Sequence, residues 1–138
     1  MRRGLQVFLK TLAEGASPPP DSRLTLLSQL EPSEEAPFRL AWKTVPVQRR
    51  RHVSEQLNDM AEDNDMLDFN AVFLVCLEDE DPEIRRRALG GLSLSEDRAN
   101  LTPMLHRLQE DPQEGVRAAA ALALGNYVLQ AELDKLPS

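Results

Sequence analysis

One pattern occurs twice in this chain, 32 residues apart: Asp-x-x-x-x-(Ile/Val)-Arg-x-x-Ala. The first copy runs through Asp79, Ile84, Arg85, Ala88 and Leu92, the second through Asp111, Val116, Arg117, Ala120 and Leu124. Self-similarity at a period of roughly 20 to 50 residues marks a solenoid, in which no unit buries its apolar face without a neighbour. Such an array is more often a binding surface than a reaction vessel. The chain therefore speaks clearly about architecture, in general terms about function, and names no partner.

The repeat has a physical reading. Asp81-Pro82 and Asp111-Pro112 each look like a helix start. A carboxylate there accepts from the free N–H groups of the first turn, and proline sits where no donor is missed. Ile84, Ala88, Gly91 and Leu92 then follow at helical spacing, as do Val116, Ala120, Ala123, Leu124, Tyr127 and Val128. A further amphipathic stretch precedes each start: Phe69, Val72, Phe73, Cys76 and Leu77 in one unit, Leu101, Met104, Leu105 and Leu108 in the other. None of the four alternates as a strand would. Each unit reads as a helix, an acidic turn and a second helix.

These residues resemble the HEAT repeat family, and within it the bacterial HEAT-like repeats of the type found in phycobiliprotein lyases. The resemblance rests on Leu77-Glu78-Asp79-Glu80-Asp81-Pro82-Glu83-Ile84-Arg85, on Asp111-Pro112-Gln113-Glu114-Gly115-Val116-Arg117, and on the helix ends Ala88-Leu89-Gly90 and Leu122-Ala123-Leu124-Gly125. It is specific over residues 69 to 128. It implies an all-α, right-handed α-α superhelix of about seven or eight helices. It also implies a ladder between neighbouring units, made by the turn aspartates Asp79 and Asp111 with Arg85 and Arg117. Asp79–Arg117 is the expected inter-unit pair, and Pro103 would match the proline that bends or begins the family's first helix.

Four segments are expected: an N-terminal helical cap with a Pro-rich loop (1–32), a degenerate unit (33–65), a clear unit (66–97), and a last unit with the start of a further helix (98–138). Helices are expected near 2–13, 22–30, 34–44, 47–61, 66–77, 82–93, 98–109 and 112–130. In the degenerate unit Phe38, Ala41, Trp42 and Val45 form one stripe, with Ser33 as N-cap and Pro37 in the first turn; Val53, Leu57 and Met60 form another. No aspartate precedes Arg49-Arg50-Arg51 at the expected place, which speaks against a ladder bond there. Beyond Tyr127 an apolar row continues through Leu129, Leu133 and Leu136. It is expected to fold back, to be covered by further repeats, or to support end-to-end self-association through the C-terminal face.

Composition narrows the function classes. No window of 18 apolar residues occurs, so no membrane span is expected. One cysteine excludes an internal disulfide and fits a reducing, cytoplasmic location. The net charge of −7 divides unevenly: residues 1–56 carry nine basic and six acidic side chains, the rest seven and seventeen. Cys76 lies on an apolar stripe and reads as a core thiol, and His52 and His106 have no spaced ligand partner. Asp63-Asn64-Asp65 lacks the glycine and distal glutamate of a calcium loop. With no phosphate loop, Cys-x-x-Cys or His-Glu-x-x-His motif, we expect no catalysis, no metal and no cofactor.

The arginine triplets carry the sharpest functional expectation. Arg49–Arg51 and Arg85–Arg87 open the second helices of adjacent units, which line the concave face in the family, whereas the third unit has Ala118 and Ala119 there. We expect Arg50, Arg51, Arg86 and Arg87 to supply the charge of a partner site, with Gln56 and Ser93 further along the same helices. The expected partner is another protein with an acidic segment, and the chain would be a non-catalytic interaction scaffold. The resemblance also implies two alternatives, a bilin-lyase-like accessory protein and a nucleic-acid-binding helical repeat. Against nucleic acid stand the overall acidity and the lack of aromatic residues among the arginines.

Overall fold

The chain forms a two-layer, all-α solenoid; the computed structural model describes residues 1–136. Pro137 and Ser138, the end of the expected 98–138 segment, lie outside the described residues. The helices are α1 (Arg3–Thr11), α2 (Asp21–Leu24, continued as a 3-10 turn over Thr25–Leu27), α3 (Pro32–Thr44), α4 (Val47–Asp63), α5 (Asn70–Cys76), α6 (Pro82–Leu92), α7 (Leu101–Glu110, entered through a 3-10 turn at Arg98–Asn100) and α8 (Glu114–Asp134). No strand occurs among the described residues. The all-α solenoid of about seven or eight helices expected from the repeat is the observed architecture.

The boundaries differ from expectation where side chains compete for backbone donors. Helix α2 is shorter than 22–30 because Gln29 takes a left-handed φ of 56°. Its N–H donates to Asp68 O at 2.7 Å, while the N–H of Asp68 donates to Ser28 Oγ at 2.9 Å. The same loop delays α5, since Asp68 Oδ1 accepts from the Asn70 N–H at 2.9 Å. Helix α3 begins at Pro32, so Ser33 is not its N-cap and Pro37 lies inside the helix. The Glu34 carboxylate instead reaches back to the Glu31 N–H at 2.9 Å. The two Asp-Pro steps also differ: Asp81 caps α6 by accepting from Ile84 N–H at 3.1 Å, whereas α8 starts only at Glu114, two residues beyond Pro112.

The helices stack in two rows. One row runs α1, α3, α5; the other runs α2, α4, α6, α8, each helix touching the next. Within units, α5 packs on α6 and α7 on α8. The enclosed core is aliphatic for most of its length: Leu5, Leu24, Leu27, Val53, Leu57, Val72, Ile84, Leu89, Leu92 and Met104 are fully buried. Each such side chain contributes about 2 kcal/mol through burial. Aromatic pairs fill the wider gaps, Phe38 against Trp42 at 5.6 Å and Phe69 against Phe73 edge-on at 6.2 Å. Gly91 admits the Phe73 ring so closely that a methyl group there would strike it.

The N-terminal segment covers the open end of this core. Arg49 holds the Pro-rich loop by donating to Leu12 O at 2.8 Å and to Ser17 O at 2.7 Å. Gln56 donates to Pro19 O at 2.9 Å, so it anchors the cap rather than extending a partner surface. Glu34 is fully buried and accepts from Arg2 Nε at 3.1 Å. Burial alone would raise its pKa; the bonds from Glu31 and Arg2 win and hold it below the usual carboxylate range.

Candidate functional site

The turns between paired helices carry a ladder of arginine–aspartate forks. Arg85 donates from Nε to Asp111 Oδ2 at 2.8 Å and from Nη2 to Asp111 Oδ1 at 3.1 Å. Arg50 does the same to Asp79, at 3.1 and 3.3 Å. Both pairs are buried: side-chain exposures are 7% and 0% for Arg85 and Asp111, and 8% and 4% for Arg50 and Asp79. Each arginine also gives Nη1 to carbonyls of its own turn, Arg85 to Asp79 O at 2.9 Å and Arg50 to Val45 O at 2.6 Å. These carbonyls orient the guanidinium, and the planar fork then matches a carboxylate.

The aspartates are aimed by their own turns. Asp79 Oδ1 accepts from the Asp81 N–H at 2.9 Å, and Asp111 Oδ1 from the Gln113 N–H at 3.0 Å. Asp79 further accepts from the Trp42 indole N–H at 2.8 Å. Asp111 also lies 3.3 Å from Arg107 Nη1. Burial would push the Asp111 pKa up, but Arg85, the Gln113 N–H and Arg107 together hold it below the usual value.

Two expectations about the ladder are corrected. Asp79 does not pair with Arg117; the direction runs the other way, from each arginine to the aspartate of the following unit. The degenerate unit does join the ladder through Arg50, because the aspartate that matters belongs to the next unit and not to its own. Arg117 makes half of a rung: Nη1 donates to Asp111 O at 2.7 Å, and no carboxylate meets it among the described residues.

The four arginines proposed from sequence for a partner therefore separate. Arg50 is buried in the ladder and cannot face a partner. Arg51 forms a bidentate pair with Asp81, at 2.6 and 3.1 Å, with 40% of its side chain exposed. That bond lowers the Asp81 pKa and raises that of Arg51. Arg86, half exposed, grips Glu83 at 2.7 Å and lowers the glutamate's pKa. Arg87 lies 3.1 Å from Glu83 and 3.9 Å from Glu55. Arg51 and Arg87 line a shallow groove between α4 and α6 with Gln48, His52, Glu55 and Glu83. The Ser93 hydroxyl donates back to Gly90 O at 2.6 Å.

One polar network was not anticipated. Asn70 and Asn100, at the starts of α5 and α7, exchange hydrogen bonds between their side-chain amides: Asn100 Nδ2 donates to Asn70 Oδ1 at 2.7 Å and Asn70 Nδ2 to Asn100 Oδ1 at 3.2 Å. Asn100, fully buried, also donates to Tyr127 Oη at 3.1 Å, and Tyr127 donates to Leu92 O at 3.0 Å. The only signal available in the sequence is the recurrence of asparagine 30 residues apart at matching helix starts.

Other chemical candidates fall into structural places. Cys76 is fully buried, and burial pushes its thiol pKa well above the ordinary value. His52 and His106 are exposed on different helices. Asn64 and Asp68 spend side-chain oxygens on backbone N–H groups of Met66 and Asn70, as turn residues do. Among the described residues no three His, Cys, Asp or Glu side chains converge as a metal site. None of the described helices is long and apolar enough to cross a membrane.

A family model described as HEAT repeats matches residues 70–137, the stretch that contains the Arg85–Asp111 rung, the α6 arginines and the open Arg117. Searches of curated proteins and of solved structures found no match. Two stacked helical hairpins joined by an aspartate–arginine ladder, with this match over the same residues, identify residues 70–137 as HEAT repeats.

Proposed function

We propose that the chain is a non-catalytic scaffold that binds another protein along the outward face of α4 and α6. HEAT repeats often mediate protein interactions. The observation that carries the reading here is the half-exposed row Arg51, Arg86 and Arg87, one or two guanidiniums per unit at stacked positions. Each is held by a carboxylate of the chain itself: Asp81, Glu83 or Glu55. An acidic partner segment would exchange with these carboxylates, so the charge contributes orientation and association rate more than affinity. The groove beside Gln48 and His52 is lined by polar side chains, so a partner would meet it through hydrogen bonds and charge-assisted pairs. The interleaved acids leave no bare basic stripe, which weighs against nucleic acid.

Titration with a fluorescent poly-glutamate peptide and with a DNA duplex tests this reading. The peptide should bind in a salt-dependent manner, and Arg86→Glu with Arg87→Glu should weaken it at least tenfold. Both side chains lie outside the buried ladder, so the fold should survive. Binding left unchanged by the double substitution, or DNA bound in preference to peptide, would remove the basis for the proposal.

A further inference from the structure

A cleft of about 660 Å³ opens at the helix ends opposite the ladder, between the linkers that join α2 to α3, α4 to α5 and α6 to α7. Its volume lies in the range of about 300–1,000 Å³ usual for ligand sites. The floor is apolar, made by Leu30, Leu67, Phe69 and the Phe73 ring. Leu94, 51% exposed, stands at the lip, and Met66, 83% exposed, belongs to the same linker as Leu67. One wall is built in advance. The N–H of Gln29 donates to Asp68 O at 2.7 Å and the N–H of Asp68 to Ser28 Oγ at 2.9 Å, which ties two of the linkers together.

Every charged side chain that lines this cleft is acidic: Glu62, Asp65, Asp68 and Asp97. At the ladder edge Asp79, Asp81 and Asp111 all meet arginines of the chain. Among the described residues none of the four cleft carboxylates takes part in an ion pair. Two of them are nevertheless aimed. Asp68 and Asp97 each accept at Oδ1 from the N–H two residues on, Asn70 at 2.9 Å and Ala99 at 3.0 Å. Asp79 and Asp111 are held in the same manner and still accept a whole guanidinium fork. A carboxylate so held therefore has room for an arginine. A cleft of one sign with low-dielectric walls concentrates the field and gathers the opposite charge.

We propose that this cleft docks a basic segment of a partner protein in which arginines flank large apolar side chains. The apolar side chains enter over Leu67 and Phe73 beside Leu94, and the arginines pair with Asp68 and Asp97. The planar fork of arginine matches a carboxylate better than a lysine ammonium does. The acidic rim speeds approach, and the apolar anchors supply affinity. A bare metal ion is the poorer occupant, because no three of these carboxylates converge on one point and an apolar floor offers it nothing. The arginine-lined α4–α6 groove lies toward the other ends of those helices, at Gln48–Glu55 and Glu83–Arg87. The two sites thus take partner segments of opposite charge, and neither depends on the other.

The probe is a fluorescein-labelled peptide with arginines on either side of a leucine pair, compared with a peptide in which glycine replaces leucine. Anisotropy should show salt-dependent binding, about tenfold tighter for the leucine peptide. Asp68→Asn with Asp97→Asn should weaken that binding about tenfold. The asparagine amide oxygens still accept from the Asn70 and Ala99 N–H groups, so the linkers keep their turns. Glu110→Gln with Glu114→Gln removes the same charge from exposed positions outside the cleft and should leave binding unchanged. In the unsubstituted chain the peptide should shift amide resonances of residues 61–73 and 91–97 and spare those of Gln48–Glu55. No binding, shifts centred elsewhere, equal binding of the glycine peptide, or equal losses from the two double substitutions overturns the proposal. A dimer of the chain in sedimentation that dissociates on Asp68→Asn with Asp97→Asn would also overturn it, in favour of self-association.

Discussion

The second and third units share a pattern and differ in what surrounds them. In α5–α6 the arginine of the pattern is 6% exposed, and Phe73, Leu77, Leu89 and Leu92 are all buried. In α7–α8 the corresponding arginine is half-buried, Leu105 is 44% exposed and Ala121 is exposed, while Leu122 on the adjoining face reaches 72%. The residues that enclose α6 come largely from its neighbours on either side, since α6 packs against α4, α5 and α8. A solenoid unit therefore has no fixed stability of its own; most of it is interface. The same arginine is a buried structural charge in one unit and an available donor in the next.

The largest effect expected from this contrast is on the rung itself. Arg85→Ala strands Asp111 as a buried carboxylate with only Arg107 and backbone donors beside it, and removing one partner of a buried pair costs about 3–5 kcal/mol. Arg117→Ala removes one bond to a carbonyl from a half-buried residue and should cost about 1 kcal/mol. Urea denaturation of the two variants measures the difference. Equal losses would mean that the units are not distinguished by their neighbours.

Acid sharpens the same comparison. Asp111 has a folded pKa below its ordinary 3.8, so its contribution is complete at higher pH and is lost as pH falls through the folded value. Asp81 and Glu34 shift in the same direction from 3.8 and 4.5. Stability should thus be flat near neutrality and fall below about pH 4. Arg85→Gln should flatten part of that acid slope, whereas Arg117→Gln should leave it in place. Denaturant midpoints taken from pH 2.5 to 7 would show whether the slope follows Arg85.

What was legible in the sequence follows from the same physics. Helical periodicity and the 32-residue repeat identify the array because every unit must place apolar groups at the same stations: Ile84, Ala88 and Leu92 are matched by Val116, Ala120 and Leu124. Of the two filled rungs, Asp79, Asp111 and Arg85 were also legible, since aspartate and arginine recur with these stations, whereas Arg50 was read as a surface residue. The direction of the ladder was not legible. Asp79 has arginines in its own unit and in both neighbours at compatible spacing, and only the handed advance from one unit to the next selects Arg50. For the same reason the triplet Arg49-Arg50-Arg51 could not be divided from sequence into one loop clamp, one ladder residue and one surface pair. The Asn70–Asn100–Tyr127 network escaped because its two asparagines recur 30 residues apart, out of step with the 32-residue pattern.

The smallest effect lies in glycines, and it carries the comparison to single methyl groups. Gly91 of α6 is buried with the Phe73 ring where a Cβ would stand, so Gly91→Ala must displace packed core. Overpacking of this kind costs about 1–3 kcal/mol, and the gain in helix propensity offsets only part of it. Gly125 of α8 is exposed, and a Cβ there would meet nothing within 4 Å. Gly125→Ala should therefore raise stability, by at most about 1 kcal/mol, because alanine loses less backbone entropy than glycine in a helix. Thermal or urea melts of the two variants should move in opposite directions. If Gly125→Ala also destabilised the chain, α8 would be packed against something at that position, and the contrast between a covered and an uncovered unit would fail at its simplest test.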